Sequence, residues 1–346
     1  MKQKLQSPAH QIKRSRKQAR ARRTRPSRLA ARRHRLLYAT QMALHQQKLV
    51  FNATIFAPST LSFVDEPAEM VAFLARLRAV CHPKQKVLIS LQYVTQLTNC
   101  ALLLLRAKLQ DGVSFTRGAK IYVRPPENAV ASRVWNNSFY KPQKPGVAQP
   151  LDQALILGRR RDFHKQVEVK LAEELVHRAM RYLSGRPEPQ DHHAAYRTLI
   201  ECMSNTFKHA DPQTEATENW WVASYPHPGP GPKRWCFAFV DNGVGILKSL
   251  DIKGFFQQLK RVLGLIPNYE TLQLLMEGKI GSRLGLSYRG KGLPGIYKEL
   301  QRGRIHNLVI VANDTRANFA THEYVTLTQS FSGTFLYWEL SLPPQS

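Results

Sequence analysis

Three short stretches in the second half of the chain carry the residue types that nucleotide chemistry needs. They are Glu201-Cys-Met-Ser-Asn205-Thr-Phe-Lys208-His209-Ala210, Asp241-Asn-Gly243-Val-Gly245-Ile and Gly290-Lys-Gly292-Leu-Pro294. A carboxylate such as that of Glu201 can orient or deprotonate a water. The amide carbonyl of Asn205 is a hard oxygen ligand that suits magnesium, an ion that keeps several waters and takes few protein ligands. Lys208, with His209 beside it, can meet phosphate as a compact charge. Asp241 ends an apolar run and can accept a hydrogen bond from an exocyclic amine such as that of adenine. Gly243 and Gly245 then permit a tight turn and a close approach of backbone to ligand. Glycines that run into a helix offer backbone N–H groups and a positive dipole end to phosphate, and Arg289 and Lys291 add charge there.

Each stretch has a plainer reading when taken alone. The first is a solvated helix face, the second an ordinary Asp-Asn-Gly turn, the third a flexible linker. The third also matches neither the P-loop nor the dinucleotide fingerprint. It is their occurrence together, and in this order, that points to a site for a nucleotide and its metal.

The trio resembles the N box and the two glycine boxes of the GHKL, or Bergerat-fold, ATPase superfamily, and within it the branch of sensor histidine kinases and anti-sigma-factor kinases. The resemblance covers roughly Ala194 to Leu342. It implies a mixed sheet layered on helices, with ATP and magnesium held between the helices and a lid. By matching positions, Glu201 is implied as the water-orienting residue or base and Asn205 as the magnesium ligand. Asp241 is implied as the reader of adenine, and Gly290 and Gly292 as the phosphate end of the lid. Gly333-Thr334 falls where the family often has a Gly-Thr whose hydroxyl helps hold the adenine-reading Asp. The chain departs from the pattern in the forty-odd residues between Gly245 and Gly290, which read as a long lid with its own helix near Gly254–Leu265.

The elements that must position these residues follow from periodicity. Ala194 to His209 reads as an amphipathic helix, with Leu199, Met203 and Phe207 inward and Glu201, Asn205 and Lys208 on another stripe. Arg234 to Val240 reads as a strand leading into Asp241. Lys165 to Leu183 reads as the helix before them, Ile296 to Leu300 as one after, and Asn307–Ala312 and His322–Leu342 as strands. Upstream, strands at Val50–Phe56, Lys86–Gln92 and Lys120–Val123 alternate with helices at Pro67–Val80 and Asn99–Gln110, which gives a small α/β unit. Its order resembles a degenerate STAS domain, the fold of anti-sigma-factor antagonists, and implies a docking or regulatory module. The usual phosphorylatable Ser is replaced by Asn99, leaving Thr95 and Thr98 as weak candidates.

The expected class is α+β, with a basic tail over 1–45, the STAS-like unit over 46–130, a linker over 131–160 and a Bergerat-type two-layer α/β sandwich over 161–346. The net charge of +27 is concentrated in residues 1–37, which carry fourteen Lys and Arg and no acid. Such a segment cannot bury a core and suits a polyanion, nucleic acid above all, through counterion release. No stretch approaches a membrane span, and the basic start lacks the apolar run of a secretory signal. Cys81, Cys100, Cys202 and Cys236 show no metal or disulfide spacing and read as reduced, buried thiols of a cytoplasmic protein. Candidate partners are therefore ATP, a protein on the STAS-like unit, nucleic acid on the tail and a second copy of the chain. Three functions stay open: an ATP-hydrolysing conformational switch, an anti-sigma-type serine/threonine kinase, and a scaffold that binds nucleotide without using it.

Overall fold

A computed structural model describes residues 50–110, 113–138, 155–159, 167–183, 189–208, 219–252, 266–279 and 292–341. The basic tail, the expected lid helix near 254–265, and His209, Arg289, Gly290 and Lys291 lie outside these residues. The class is mixed α+β, as expected.

The first unit is built on a parallel sheet of β1 (Ala53–Phe56), β3 (Lys86–Ser90) and β5 (Lys120–Arg124), with β3 central. Helix α1 (Pro67–Val80) follows a short β2 (Thr60–Leu61) and opens on a proline, whose fixed φ and missing N–H suit a first turn. Helix α2 (Asn99–Gln110) follows β4 (Gln96–Leu97), which pairs with β2. The Thr98 hydroxyl caps α2, accepting from the Ala101 amide and donating to the Leu61 carbonyl. A one-turn α3 (Val113–Thr116) leads into β5.

The second unit is a five-stranded antiparallel sheet in the order β6-β7-β8-β10-β9. Its strands are β6 (Leu155–Arg159), β7 (Trp220–Pro226), β8 (Arg234–Asp241), β9 (His306–Asn318) and β10 (Glu323–Ser341). On one face lie α5 (Val169–Leu183), α6 (Pro189–Lys208), α8 (Asn268–Met276) and α9 (Gly292–Gln301), with α7 (Ile246–Ile252) following β8. Registered across β8 and β10, Phe237 and Trp338 stack at 5.3 Å between ring centroids.

The other face of this sheet is not open. Strand β8 is buried along almost its whole length rather than on alternate residues. Trp235, Phe237 and Phe239 face the helices, while Cys236, Ala238 and Val240 enter the same core as α1, α2, Val87 and Ile89. Continuous apolar runs of this kind belong to strands covered on both sides. Helix α2 matches: Cys100 to Leu105, Ala107 and Lys108 are all buried, because the helix packs on β7 and β8 and shares one core with Val87, Ile89 and Val123 of the parallel sheet. The result is a stack of four layers: parallel sheet, α1 with α2, antiparallel sheet, helices. Phe63 sits edge-on to Phe335 at 4.8 Å and beside Phe331 at 5.1 Å. Trp221 donates from its indole to Gln110 Oε1 at 2.8 Å, and Arg316 Nε to the Val64 carbonyl.

One expectation changes. The expected linker over 131–160 contains most of α4 (Ala129–Ser138) and all of β6, so the sheet of the second unit begins before residue 161. Asn128 starts α4 by accepting from the Val130 and Ala131 amides, and Trp135 is fully buried. The density of Pro, Asn and Gly around this stretch masked a short amphipathic helix with its own cap. The strand expected over His322–Leu342 is present as Glu323–Ser341, long and bulged. The cysteines are all free and buried. Among the described residues no helix is long and apolar enough to cross a membrane.

A core shared by both units should melt as one. Phe63→Ala should cost roughly 3–5 kcal/mol, the usual range for truncating a buried Phe, and calorimetry should show a single transition for both chains. Separate transitions for residues 50–138 and 155–341 would disprove the shared core.

Candidate functional site

The end of β8 is where the two faces of the sheet diverge. Strand alternation sends Asp241 toward the helices and Asn242 toward the first unit. The carboxylate Oδ1 of Asp241 accepts the Gly243 amide at 2.8 Å and the Thr334 amide at 3.2 Å, and the Thr334 side chain bonds the same carboxylate. Thr334 stands opposite Asp241 in the β8–β10 register. Gly333 makes this approach possible. Its φ of +109° is a region that side chains rarely adopt, and a Cβ there would collide with the Asp241 carbonyl oxygen.

Gly245 is the second constrained glycine, with φ +89° and the Asn313 amide packed against it. Asn313, itself at φ +55°, accepts the Leu247 and Lys248 amides that open α7 and donates to the Val244 carbonyl. Its side chain thereby caps α7 from β9.

The first and third motifs meet on the helical side. A Cβ on Gly292 would lie 2.5 Å from Glu201 Oε2 and 3.6 Å from Asn205 Oδ1. One turn along, a Cβ on Gly295 would lie 3.1 Å from Arg197 Nη2. Glycines at i and i+3 on α9 therefore let it close onto residues i and i+4 of α6. Glu299 locks the contact. Its buried carboxylate receives Arg304 at 3.3 Å, Arg302 at 3.6 Å and Arg197 at 3.7 Å. Glu201 and Asn205 are half-buried beside the first turn of α9, whose leading amides have no intrahelical acceptor. Lys208 ends α6.

The two clusters face a common residue. Burial pushes the Cys202 thiol pKa up, and the Asp241 and Glu201 carboxylates add to the rise, so both acids lie within electrostatic reach of one buried side chain. Asp241 is perturbed in its own right. Burial raises its pKa to about 6, against the opposing pull of the Gly243 amide, the Lys108 ammonium and Thr334.

Lys108 is the residue that sequence reading missed. It is a buried cation on α2, and its Nζ donates to Asn242 Oδ1 at 2.8 Å and to the Ser332 carbonyl at 2.7 Å. It also lies 4.8 Å from the centroid of the Phe331 ring. Asn242 in turn donates to the Ala107 carbonyl. A charge among the apolar residues of α2 was the available signal, but nothing local says which turn it reaches. Asn313, Arg197 and Glu299 carry no motif either. Among the described residues no group of three or more His, Cys, Asp or Glu is placed to hold a metal, and an Asn completed by waters is not a site of that kind.

No protein-family profile matches the chain, and no curated protein matches it.

Two outcomes test this geometry. With its pKa held near 6, folded Asp241 keeps a proton that the unfolded chain has released above about pH 4. The stability it contributes is therefore full at low pH and falls as pH rises through 6, by on the order of 2–3 kcal/mol. Asp241→Asn keeps an oxygen for the two amides and cannot ionise. Subtracting its melting profile from that of the wild type between pH 4 and 8 should show this fall, and a flat difference would refute the assignment. Separately, Gly333→Ala should destabilise by more than about 1 kcal/mol in urea melts, through both φ and the collision with Asp241.

Proposed function

We propose that this chain is a magnesium-dependent ATP-binding protein of the GHKL kind, acting as an ATP-hydrolysing conformational switch. The observation that carries the reading is the meeting of Glu201, Asn205 and Gly292, residues some ninety positions apart, at the start of α9. A structural helix pair needs small residues at such a crossing. It has no need of a half-buried carboxylate and amide aimed at a helix N-terminus.

The residues divide the work as follows. Asp241 reads the base: with Oδ1 occupied by two amides, Oδ2 accepts an exocyclic amine. Gly243 and Gly245 keep side chains out of the ligand's path. The amides of Gly292, Leu293 and Gly295 suit phosphate, while Pro294 has none to give. Asn205 supplies a hard oxygen for magnesium, which when bound would neutralise phosphate charge. Glu201 accepts a proton from the attacking water, or orients that water. In sequence Arg289, Gly290 and Lys291 directly precede α9, Lys208 is the last residue of α6 and His209 follows it.

The first unit fits a STAS-like docking module in its parallel β1-β3-β5 sheet and helical order. Residues 1–37 suit nucleic acid by charge alone.

The test is equilibrium binding and turnover of ATP with magnesium by the full chain, with Glu201→Ala and Asp241→Asn. Wild type should bind, and its affinity should fall as pH drops through about 6, where Asp241 takes up a proton. Asp241→Asn should lose at least tenfold in affinity, the scale of a hydrogen bond to a charged acceptor. Glu201→Ala should bind but turn over on the order of a hundredfold more slowly. A wild type that binds no ATP between pH 6 and 8 would overturn the reading.

A further inference from the structure

We propose that Lys108 of the first unit is a positioning residue of the nucleotide site, holding Asp241 in place for base recognition. The inference rests on the ATP-binding reading above and adds the regulation of that site.

Asp241 is gripped by two backbone segments, and both are anchored by the same ammonium. One is the 241–243 turn after β8, where Asn242 Oδ1 accepts from Lys108 Nζ at 2.8 Å. The other is the 332–334 bend of β10, where the Ser332 carbonyl accepts from Lys108 Nζ at 2.7 Å. Ser332 directly precedes Gly333, which packs on the Asp241 carbonyl, and Thr334, whose amide bonds the Asp241 carboxylate. Asn242 directly follows Asp241 and also donates to the Ala107 carbonyl on the same helix. Lys108 thus pins both sides of the base-reading carboxylate from behind the sheet.

Energetics favour a role beyond glue. A buried ammonium is costly unless it is paired, and an apolar side chain of similar length is often as stable at such a position. Two accepting oxygens, one on each segment, make the charge tolerable and make it specific for this arrangement. The position on α2 adds a consequence. This helix is shared by both sheets, so a displacement of the first unit would be felt at Asp241 through Lys108 first.

The experiment uses the full chain, with Lys108→Met, which keeps the apolar stem over Phe331, with Asn242→Ala, and with the double variant. ATP and GTP affinities are measured between pH 5.5 and 8. Adenine presents an amine where guanine presents a carbonyl, so the ATP/GTP preference reports on Asp241 rather than on folding. Each single variant should lose about tenfold in ATP affinity and should lose ATP/GTP discrimination, and Lys108→Met, which removes the ammonium, should also shift the acid limb of binding to higher pH. The double variant should lose no more than Lys108→Met alone, because that substitution already removes the link that Asn242→Ala breaks. Unchanged ATP/GTP preference in both single variants, or additive losses, would overturn the proposal. If Lys108→Met does not fold, Asn242→Ala decides by its ATP/GTP preference. If the wild type itself binds neither nucleotide, the ATP reading fails, which is a different result from wild-type binding that Lys108 leaves untouched.

Discussion

A sheet covered on both faces leaves its strand ends as the places where polar side chains can meet anything but apolar packing. In this chain the constraint falls on the carboxyl end of β8. Every residue from Trp235 to Val240 is committed to one core or the other. Chemistry therefore starts at Asp241, the last residue of the strand, and the neighbouring Asn242 is turned to the opposite layer. Two adjacent polar residues thus serve two layers, one facing α6 and its carboxylate, the other facing α2 and its lysine. The glycines of the turn follow from the same crowding: close approach of β10 and of Asn313 leaves no room for a Cβ at 333 or 245.

Much of this is written in the chain, though unevenly. The boundaries of Pro67–Val80 and Asn99–Gln110 coincide with α1 and α2, because apolar periodicity and a proline or threonine start agree with the tertiary result. The side chains of Glu201 and Asn205 share a helical stripe, as i and i+4 must. What periodicity could not supply is which faces meet. The apolar run of β8 and the all-round apolar character of α2 are two halves of one contact, but each is equally compatible with an ordinary buried element. Long-range polar links such as Lys108 to Asn242, 134 residues apart, leave no local trace. The helix of 129–138 was hidden by turn-forming neighbours, and β6 by its short length beside a stretch rich in proline and glycine.

The electrostatics of the site are those of burial moderated by few partners. Asp241 sits where desolvation works against its charge, and backbone amides with one ammonium work for it. A similar economy operates at Glu299, where three arginines converge on one buried carboxylate at the α6–α9 crossing. At the opposite end of the sheet Glu339 receives Arg234, Asn307 and the Tyr337 hydroxyl, all within 2.9 Å. Each buried charge thus holds together pieces of chain that apolar packing alone would leave free to slide, and each lies near the end of its own element.

The order of strands has a consequence for biosynthesis. Strand β10 follows every other described strand in the sequence, yet it lies inside the sheet, between β8 and β9. Until it is made, β8 has a bare edge and α1 lacks its neighbour on the sheet. The leucine-rich α2 is translated more than two hundred residues earlier and must wait, with one apolar side uncovered, for most of the polypeptide to emerge. A nascent chain of this design is exposed to aggregation until β10 emerges, and a premature stop before Glu323 removes the strand that closes both cores.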